Sequence, residues 1–320
     1  MSSRPTIRQA GVGAASKDNL YFSSPKKHLE FIPTGCIVLD CVLGGGWPLG
    51  LVVNIVGDKS TGKTLLAIEA IANFFLKYDD GECWYNEAEA ALDTDYAKAL
   101  GVPMHRVKRL EEHDTVEQVF DSLEGVLNRI KGPGLYILDS LDALSDEAEM
   151  KRGISDGSYG AGKPKKMSEL FRRLVRKVKR KRICVIIISQ TRDKIGVTFG
   201  EKHSRSGGKA LDFYASQVLW LSHIKTLKRQ SSRVERPIGV RIRAKCKKNK
   251  VGLPLRECDF NIRFGYGVDD TVASTEFLQE VGVKVPVSIS PVELAKLVQR
   301  KWYEIERSFL PTRGKYDASR

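Results

Sequence analysis

Eight consecutive residues, Gly57, Asp58, Lys59, Ser60, Thr61, Gly62, Lys63 and Thr64, carry the most specific chemistry in the chain. They fit G-x-x-x-x-G-K-[ST], a loop whose backbone N–H groups curl round phosphate oxygens while the lysine adds a point charge and the threonine hydroxyl suits Mg²⁺. The preceding LVVNIV is apolar and β-branched and reads as a buried strand; Leu65 to Leu76 reads as an apolar-rich helix. That helix aims unpaired N–H groups and a positive dipole end at the same anion. Nucleotide binding is the first expectation.

Three further positions suit the chemistry of a bound nucleotide. Asp139 closes the apolar LYIL and stands where an acid would orient Mg²⁺ beside the loop. Hydrolysis also needs a group to orient or deprotonate water, and Glu87 and Glu89 both follow a short strand. Spacing does not choose between them. Gln190 ends ICVIIIS, where a polar tip can touch a terminal phosphate; an amide that merely caps a strand is the equal alternative.

A second kind of chemistry is cationic. From Lys163 to Arg182 there are eleven Lys or Arg and a single acid, Glu169. Leu170, Phe171, Leu174, Val175 and Val178 fall on one helical face, which leaves Arg172, Arg173, Arg176 and Lys179 towards the other. The stretch Arg192 to Gly208 adds Arg192, Lys194, Lys202 and Arg205, interleaved with Ile195, Val197 and Phe199, residues able to wedge between bases while cations hold phosphates. With a net charge of +14, this clustering favours a nucleic acid over a merely solvated surface.

The elements that must position these groups alternate. Strands are expected at Glu82 to Tyr85, Leu135 to Ile137 and Ile183 to Ser189, and helices at Asp93 to Leu100, Thr115 to Ile130 and Lys165 to Arg182. Such alternation predicts an α/β fold, a mostly parallel twisted sheet with helices on both faces. Gly153 to Pro164 and Arg192 to Gly208 read as glycine-bearing loops, and the stretch from Ala210 as helix or strand. Arg241 to Asn261 reads as strands joined by a basic turn, an antiparallel end to the sheet. Residues 1–30 read as a flexible arm, with Tyr21 and Phe22 as a docking element for a neighbouring subunit; 31–269 form the core. Residues 270–320 form a small helical terminal region, with Ser290, Pro291 and Glu293 as a capping box and a disordered tail after Pro311.

A chain of 320 residues is ample for one large core. No stretch is apolar enough to span a bilayer and the N-terminus lacks the apolar core of a secretory signal, so a soluble cytoplasmic protein is expected. The six cysteines show no C-x-x-C pair and read as reduced packing residues.

Taken together, GGGWPLGLVVNIVGDKSTGKT, EAEAALDTDYAKALGV, LYILDSLDAL, SQTRDKIGVTFG, SGGKALDFYAS and KKNKVGLPLRECDFNIRFGYGV resemble the RecA-type recombinases of bacteria and their phages, in order and spacing, from about Pro33 to Asp269. The resemblance implies a RecA-like P-loop NTPase core that uses ATP and Mg²⁺. It assigns water activation to Glu89 rather than Glu87, adenine contact to Asp93 and Tyr96, nucleotide sensing to Gln190 and Mg²⁺ orientation to Asp139 with Thr64. It places Lys248 and Lys250 against the terminal phosphate of a neighbouring subunit's nucleotide and makes Phe213 a relay between subunits. It implies DNA contact by Lys165, Ser168 and Arg172 and, in a second loop, by Arg192, Lys194, Ile195, Phe199, Gly207 and Gly208.

The implied activity is a DNA-dependent ATPase that polymerises as a helical filament on single-stranded DNA, pairs it with homologous duplex and exchanges strands. Single-strand-binding or loader proteins are further expected partners. Two rivals share the core: a DNA-binding mediator that exchanges no strands, and a ring-forming helicase-type ATPase. The presence of Glu89, Gln190, Lys248 and Lys250 argues against the first, and the lysine pair with SGGKALDFYAS against the second. The sequence departs from the family pattern in its N-terminal arm, in the basic GISDGSYGAGKPKK and in its short terminal region.

Overall fold

A computed structural model of the chain describes residues 29–89, 92–110, 113–151, 162–193, 203–205 and 208–311. The expected N-terminal arm with Tyr21 and Phe22, the final tail, and Lys194, Ile195, Phe199 and Gly207 lie outside the described residues.

The core opens with β1 (Phe31–Ile32) and β2 (Trp47–Pro48), an antiparallel pair flanking α1 (Ile37–Leu43). There follow β3 (Val52–Gly57), α2 (Lys63–Lys77), β4 (Glu82–Glu87), α3 (Thr94–Ala99), β5 (Val107–Leu110), α4 (Val116–Arg129) and β6 (Gly134–Asp139). Next come α5 (Glu147–Met150), the basic α6 (Gly162–Arg180), β7 (Ile183–Asp193), β8 (His203–Arg205) and α7 (Gly208–Tyr214). The chain ends in β9 (Gln217–Ser231), β10 (Val234–Asn249), β11 (Arg256–Arg263), β12 (Gly267–Val268), α8 (Asp270–Glu280) and α9 (Pro291–Phe309).

The sheet runs β12-β11-β10-β9-β3-β7-β6-β4-β5, parallel from β9 to β5 and antiparallel from β9 to β12. This is the mostly parallel α/β sheet that the alternating pattern predicts. β3 is buried at every position because helices cover both faces, so its sequence runs apolar without alternation. Val53, Ile55, Ile186 and Ile188 pack with α1 and α2 on one side. Val52, Val56, Val185 and Ile187 meet Phe120 and Leu123 of α4 and Phe171 and Leu174 of α6 on the other. The predicted apolar face of α6 is thus the one it buries. Among the described residues no helix is long and apolar enough to cross a membrane.

Several boundaries differ from the sequence-based expectation, for identifiable reasons. α6 starts at Gly162, so Gly162 to Pro164 are helical rather than loop; Lys163 anchors the first turn by donating to the carbonyls of Leu141 (2.7 Å) and Leu144 (2.5 Å). β7 runs on to Asp193 because Thr191 to Asp193 pair antiparallel with β8, so Arg192 lies in a strand. The stretch from Ala210 is helix, then strand. Glu30, expected in the arm, already belongs to the core: Arg182 donates to both its carboxylate oxygens, at 2.6 and 2.8 Å. α9 begins with the expected capping box at Ser290 and Glu293, and Leu278, Leu294 and Val298 join α8 and α9 to the core of α1 and α2.

Three carboxylates, Asp40 buried and Glu69 and Asp270 half-buried, hold backbone N–H groups: Asp40 ties down the turn before α1, while Asp270 and Glu69 join α1 and α2 to the far end of the sheet. Asp40 accepts from Thr34 (2.9 Å), Asp270 from Ile37 (2.7 Å) and Glu69 from Val268 (2.7 Å). Burial pushes Asp40 and Glu69 up to about 7, and raises Asp270 as well. In the unfolded chain Asp40 and Glu69 ionise near their ordinary values, so through these two the folded state binds more protons between pH ~4 and ~7. Their contribution is complete at the acid end and is lost as pH rises through 7. Urea midpoints should therefore fall between pH 6 and 8, by about 2 kcal/mol in unfolding free energy, and Asp40→Asn should flatten the slope. A profile equally steep in wild type and variant would contradict the assignment.

Candidate nucleotide-binding site

The site lies at the carboxyl edge of the parallel strands, where Gly57 of β3 is level with Gln190 of β7 and Leu221 of β9, and Glu87 of β4 with Asp139 of β6. The loop from Gly57 to Gly62 turns back tightly. A Cβ at Gly57 would come within 2.5 Å of Thr61 Oγ1, and one at Gly62, whose φ is +85°, within 2.3 Å of Ile262 Cδ1. Only glycine allows this path. α2 begins at Lys63 with no side-chain cap, leaving its first-turn N–H groups for an external anion. Lys63 Nζ donates to the Asp58 carbonyl at 2.7 Å and Thr61 Oγ1 to the same oxygen at 2.8 Å, while Lys59 N donates to Asp58 Oδ1. Burial lowers the Lys63 pKa, opposed chiefly by the charges of Asp139 and Glu89.

Asp139 and Thr64 come together as the sequence predicts: Thr64 Oγ1 donates to Asp139 Oδ2 at 2.7 Å, and Tyr85 Oη donates to the same oxygen at 2.8 Å. Burial raises the Asp139 pKa, while the hydrogen bonds from Thr64 and Tyr85 pull it down. A hydroxyl and a carboxylate at the loop's mouth are the hard oxygen donors that Mg²⁺ takes, so the residues present fit that ion.

The structure separates the two glutamates. Glu87 is spent on structure, with a salt bridge to Arg109 at 2.8 Å and a hydrogen bond from Leu92 N. Glu89 instead faces the site: its Oε1 accepts from Ser140 Oγ and, at 2.8 Å, from Gln190 Nε2. Gln190 is held from behind as well, its backbone N–H donating to Asp142 Oδ2 at 2.6 Å. Gln190 is therefore no simple strand cap. Ser140, Asp142 and Tyr85 complete the network. Tyr85 carries no signal in the sequence because a tyrosine inside a strand ordinarily reads as core.

Asp93 Oδ1 caps α3, accepting from Asp95 N and Tyr96 N at 3.0 and 2.9 Å. Tyr96 is half-buried in the core beside it. Sequence reasoning misses Phe264 and Tyr266, both largely exposed on the turn between β11 and β12. Ile262 of β11, just before that turn, lies against Gly62 of the phosphate loop. Two glycines make FGYG read as a plain turn.

On α6, Lys165 and Arg172 are exposed and Ser168 Oγ returns to the Pro164 carbonyl at 2.9 Å. Arg173 and Lys177, on the helix's flank, instead pair with Glu124 of α4. Of the second set, Arg192 and Gly208 fall on described backbone, at the ends of β7 and α7.

Lys248 and Lys250 are not at their own chain's phosphate loop. Lys248 is level with Val218, which is level with Asn54, three residues before Gly57 and so about 10 Å back along the strand. Lys250 lies beyond, at the amino edge. Both ammonium groups donate to carbonyls at the end of α7: Lys248 to Asp212 and Phe213 (3.0 Å to the latter), Lys250 to Phe213 (3.5 Å). The Phe213 ring beside them is 70% exposed.

A parallel α/β sheet with a glycine loop, a helix N-terminus and an Asp–Thr pair converging at its carboxyl edge defines a P-loop protein of the RecA-like class. The RecA N-terminal domain family matches residues 10–269. The chain is 35% identical to Protein RecA of Nostoc sp. (strain PCC 7120) over 260 residues, which is 81% of this chain and 70% of that protein. It is 36% identical to Protein RecA of Synechococcus sp. (strain CC9605), over 81% of this chain and 67% of that protein. Protein RecA of Prochlorococcus marinus (strain AS9601) is 35% identical over 80% of this chain and 67% of its own length. The chain belongs to the RecA family.

Proposed function

We propose that the protein is a DNA-dependent ATPase that assembles as a filament on single-stranded DNA, pairs it with homologous duplex and exchanges strands. The observation that carries the reading is the separation of Lys248 and Lys250 from their own phosphate loop, across the sheet from Gly57. A lysine pair at one edge and a nucleotide loop at the other make a complete site only where two copies meet head to tail, which is the contact that builds an open helix.

Within that joint, backbone N–H groups of residues 58–64 and Lys63 hold the phosphates of ATP, and Thr64 and Asp139 hold Mg²⁺. Mg²⁺ held by Thr64 and Asp139 would supply charge neutralisation at the phosphate oxygens. Glu89 takes the proton of the attacking water, its carboxylate oriented by Ser140 and Gln190. A terminal phosphate that hydrogen-bonds Gln190 competes with Glu89 for its amide, and β7 carries the change directly into the stretch after Asp193. Asp93 and Tyr96 flank the base, with Phe264 as a further flat face. Lys165, Ser168 and Arg172 contact backbone phosphates, together with Arg192, Lys194, Ile195, Phe199, Gly207 and Gly208 of the second basic stretch.

Electron microscopy of the full chain with single-stranded DNA and a slowly hydrolysed ATP analogue should show helical filaments that vanish when either is omitted. Closed rings, or particles indifferent to DNA, would refute the reading.

A further inference from the structure

Asn249 closes β10 between Lys248 and Lys250, and its side chain points the other way from theirs. Strand alternation turns Asn249 into the core, where it is 8% exposed, against α1 on one face of the sheet. The flanking lysines reach α7, which packs on the opposite face.

What the buried amide meets is the end of α1. A helix leaves its last four carbonyls without intrahelical partners. In α1 the N–H groups of Gly45 and Gly44 take those of Asp40 (2.8 Å) and Cys41 (3.1 Å). The remaining two face side-chain amides. Asn249 Nδ2 donates to the carbonyl of Leu43 at 3.1 Å and more weakly to that of Val42 at 3.4 Å, and Gln217 Nε2, level with Asn249 on β9, donates to Leu43 at 2.8 Å. The oxygen of the same asparagine is used as well: Oδ1 accepts from the backbone N–H groups of Val251 (3.0 Å) and Gly252 (2.9 Å). A carboxamide donates and accepts at once, as no carboxylate or alkyl group of that length does.

Glycine lets the two backbones close on each other. A Cβ at Gly252 would lie 2.8 Å from Asn249 Nδ2 and 3.1 Å from Gly44 Cα. α1 is itself fixed, buried from Val38 to Leu43 and held at its start by Asp270. The segment that carries both lysines is thus moored to the core through one side chain.

We propose that Asn249 is the positioning residue of the lysine pair, fixing the backbone from which Lys248 and Lys250 reach a neighbour's phosphates. The inference rests on the reading that the pair serves a neighbouring subunit. Ammonium groups on long flexible stems are aimed only if the strand beneath them is held, and a displacement of about 1 Å costs about 100-fold in rate.

In the full chain assembled on single-stranded DNA, Asn249→Ala should lower kcat about 10- to 100-fold. ATP affinity of the DNA-free chain should stay at the wild-type value, because its own phosphate loop lies about 10 Å away along the sheet. Mixed with Lys63→Ala chains, Asn249→Ala chains should regain turnover, since their intact loops then meet lysines that are correctly held. A general loosening of the core would harm the variant's own loop, and mixing would restore nothing. That result, or an unchanged kcat where Lys248→Ala with Lys250→Ala is inactive, overturns the proposal and leaves the role of the lysines standing. Full turnover in the double lysine variant would instead remove the reading beneath the proposal, and the proposal with it. If circular dichroism shows that Asn249→Ala does not fold, Gly252→Ala, which keeps the amide but presses a methyl group against it, decides by the same two readings.

Discussion

Under the proposed function, Glu89→Gln is expected to lower ATP turnover about 100- to 1,000-fold while leaving nucleotide binding, filament assembly and melting temperature near wild type. The amide retains the carbonyl oxygen that accepts from Ser140 and Gln190, so the side chain keeps its place, but it no longer takes a proton. Glu87→Gln has the opposite character. It loses the salt bridge to Arg109 and is expected to cost stability rather than chemistry, since both Glu87 oxygens are engaged by Arg109 and Leu92. Single-turnover hydrolysis with a parallel binding titration separates the two. Equal losses of turnover in the two variants would remove Glu89 from its role.

Replacing Lys248 and Lys250 together by alanine is expected to reduce turnover at least 100-fold, although the phosphate loop of the same chain is untouched. The ammonium groups sit at the end of α7, back along the sheet from Gly57, and in the proposed filament they serve the nucleotide carried by a neighbour. The decisive measurement is complementation. Chains with Lys63→Ala and chains with Lys248→Ala and Lys250→Ala are each inactive alone; mixed, they form joints in which an intact loop meets an intact lysine pair, and turnover returns. Mixing that restores nothing would mean that each chain works by itself. The double variant also lacks the hydrogen bonds to the Asp212 and Phe213 carbonyls, and circular dichroism checks that its fold survives without them.

Much of the architecture was legible because periodicity and punctuation are local. β3 and α2 follow from an apolar run, two glycines and a second apolar run, and both helix starts with capping boxes, at Thr115 and Ser290, occur as side chains that satisfy N–H groups nearby. Boundaries that depend on distant partners were less legible. The start of α6 depends on Lys163 finding carbonyls at Leu141 and Leu144, and the length of β7 on a pairing with His203 to Arg205. The long pairing of β9 with β10 was illegible for the same reason: exposed cations along a strand read as any solvated face until its partner is known.

Chain order alone determined that a phosphate loop exists, which lysine, threonine and aspartate attend it, and that the basic helix buries one face. Those properties need only neighbours along the backbone and the regular spacing of a strand or helix. The family likeness already favoured Glu89 over Glu87 and set Lys248 and Lys250 at a subunit joint; tertiary structure supplied the geometry, with Glu87 held by Arg109, Glu89 held by Ser140 and Gln190, Tyr85 and Asp142 added to the network, and the two lysines back along the sheet from their own nucleotide loop. Each of these depends on the register between strands far apart in the chain, and that register is set only when the packed core selects one pairing.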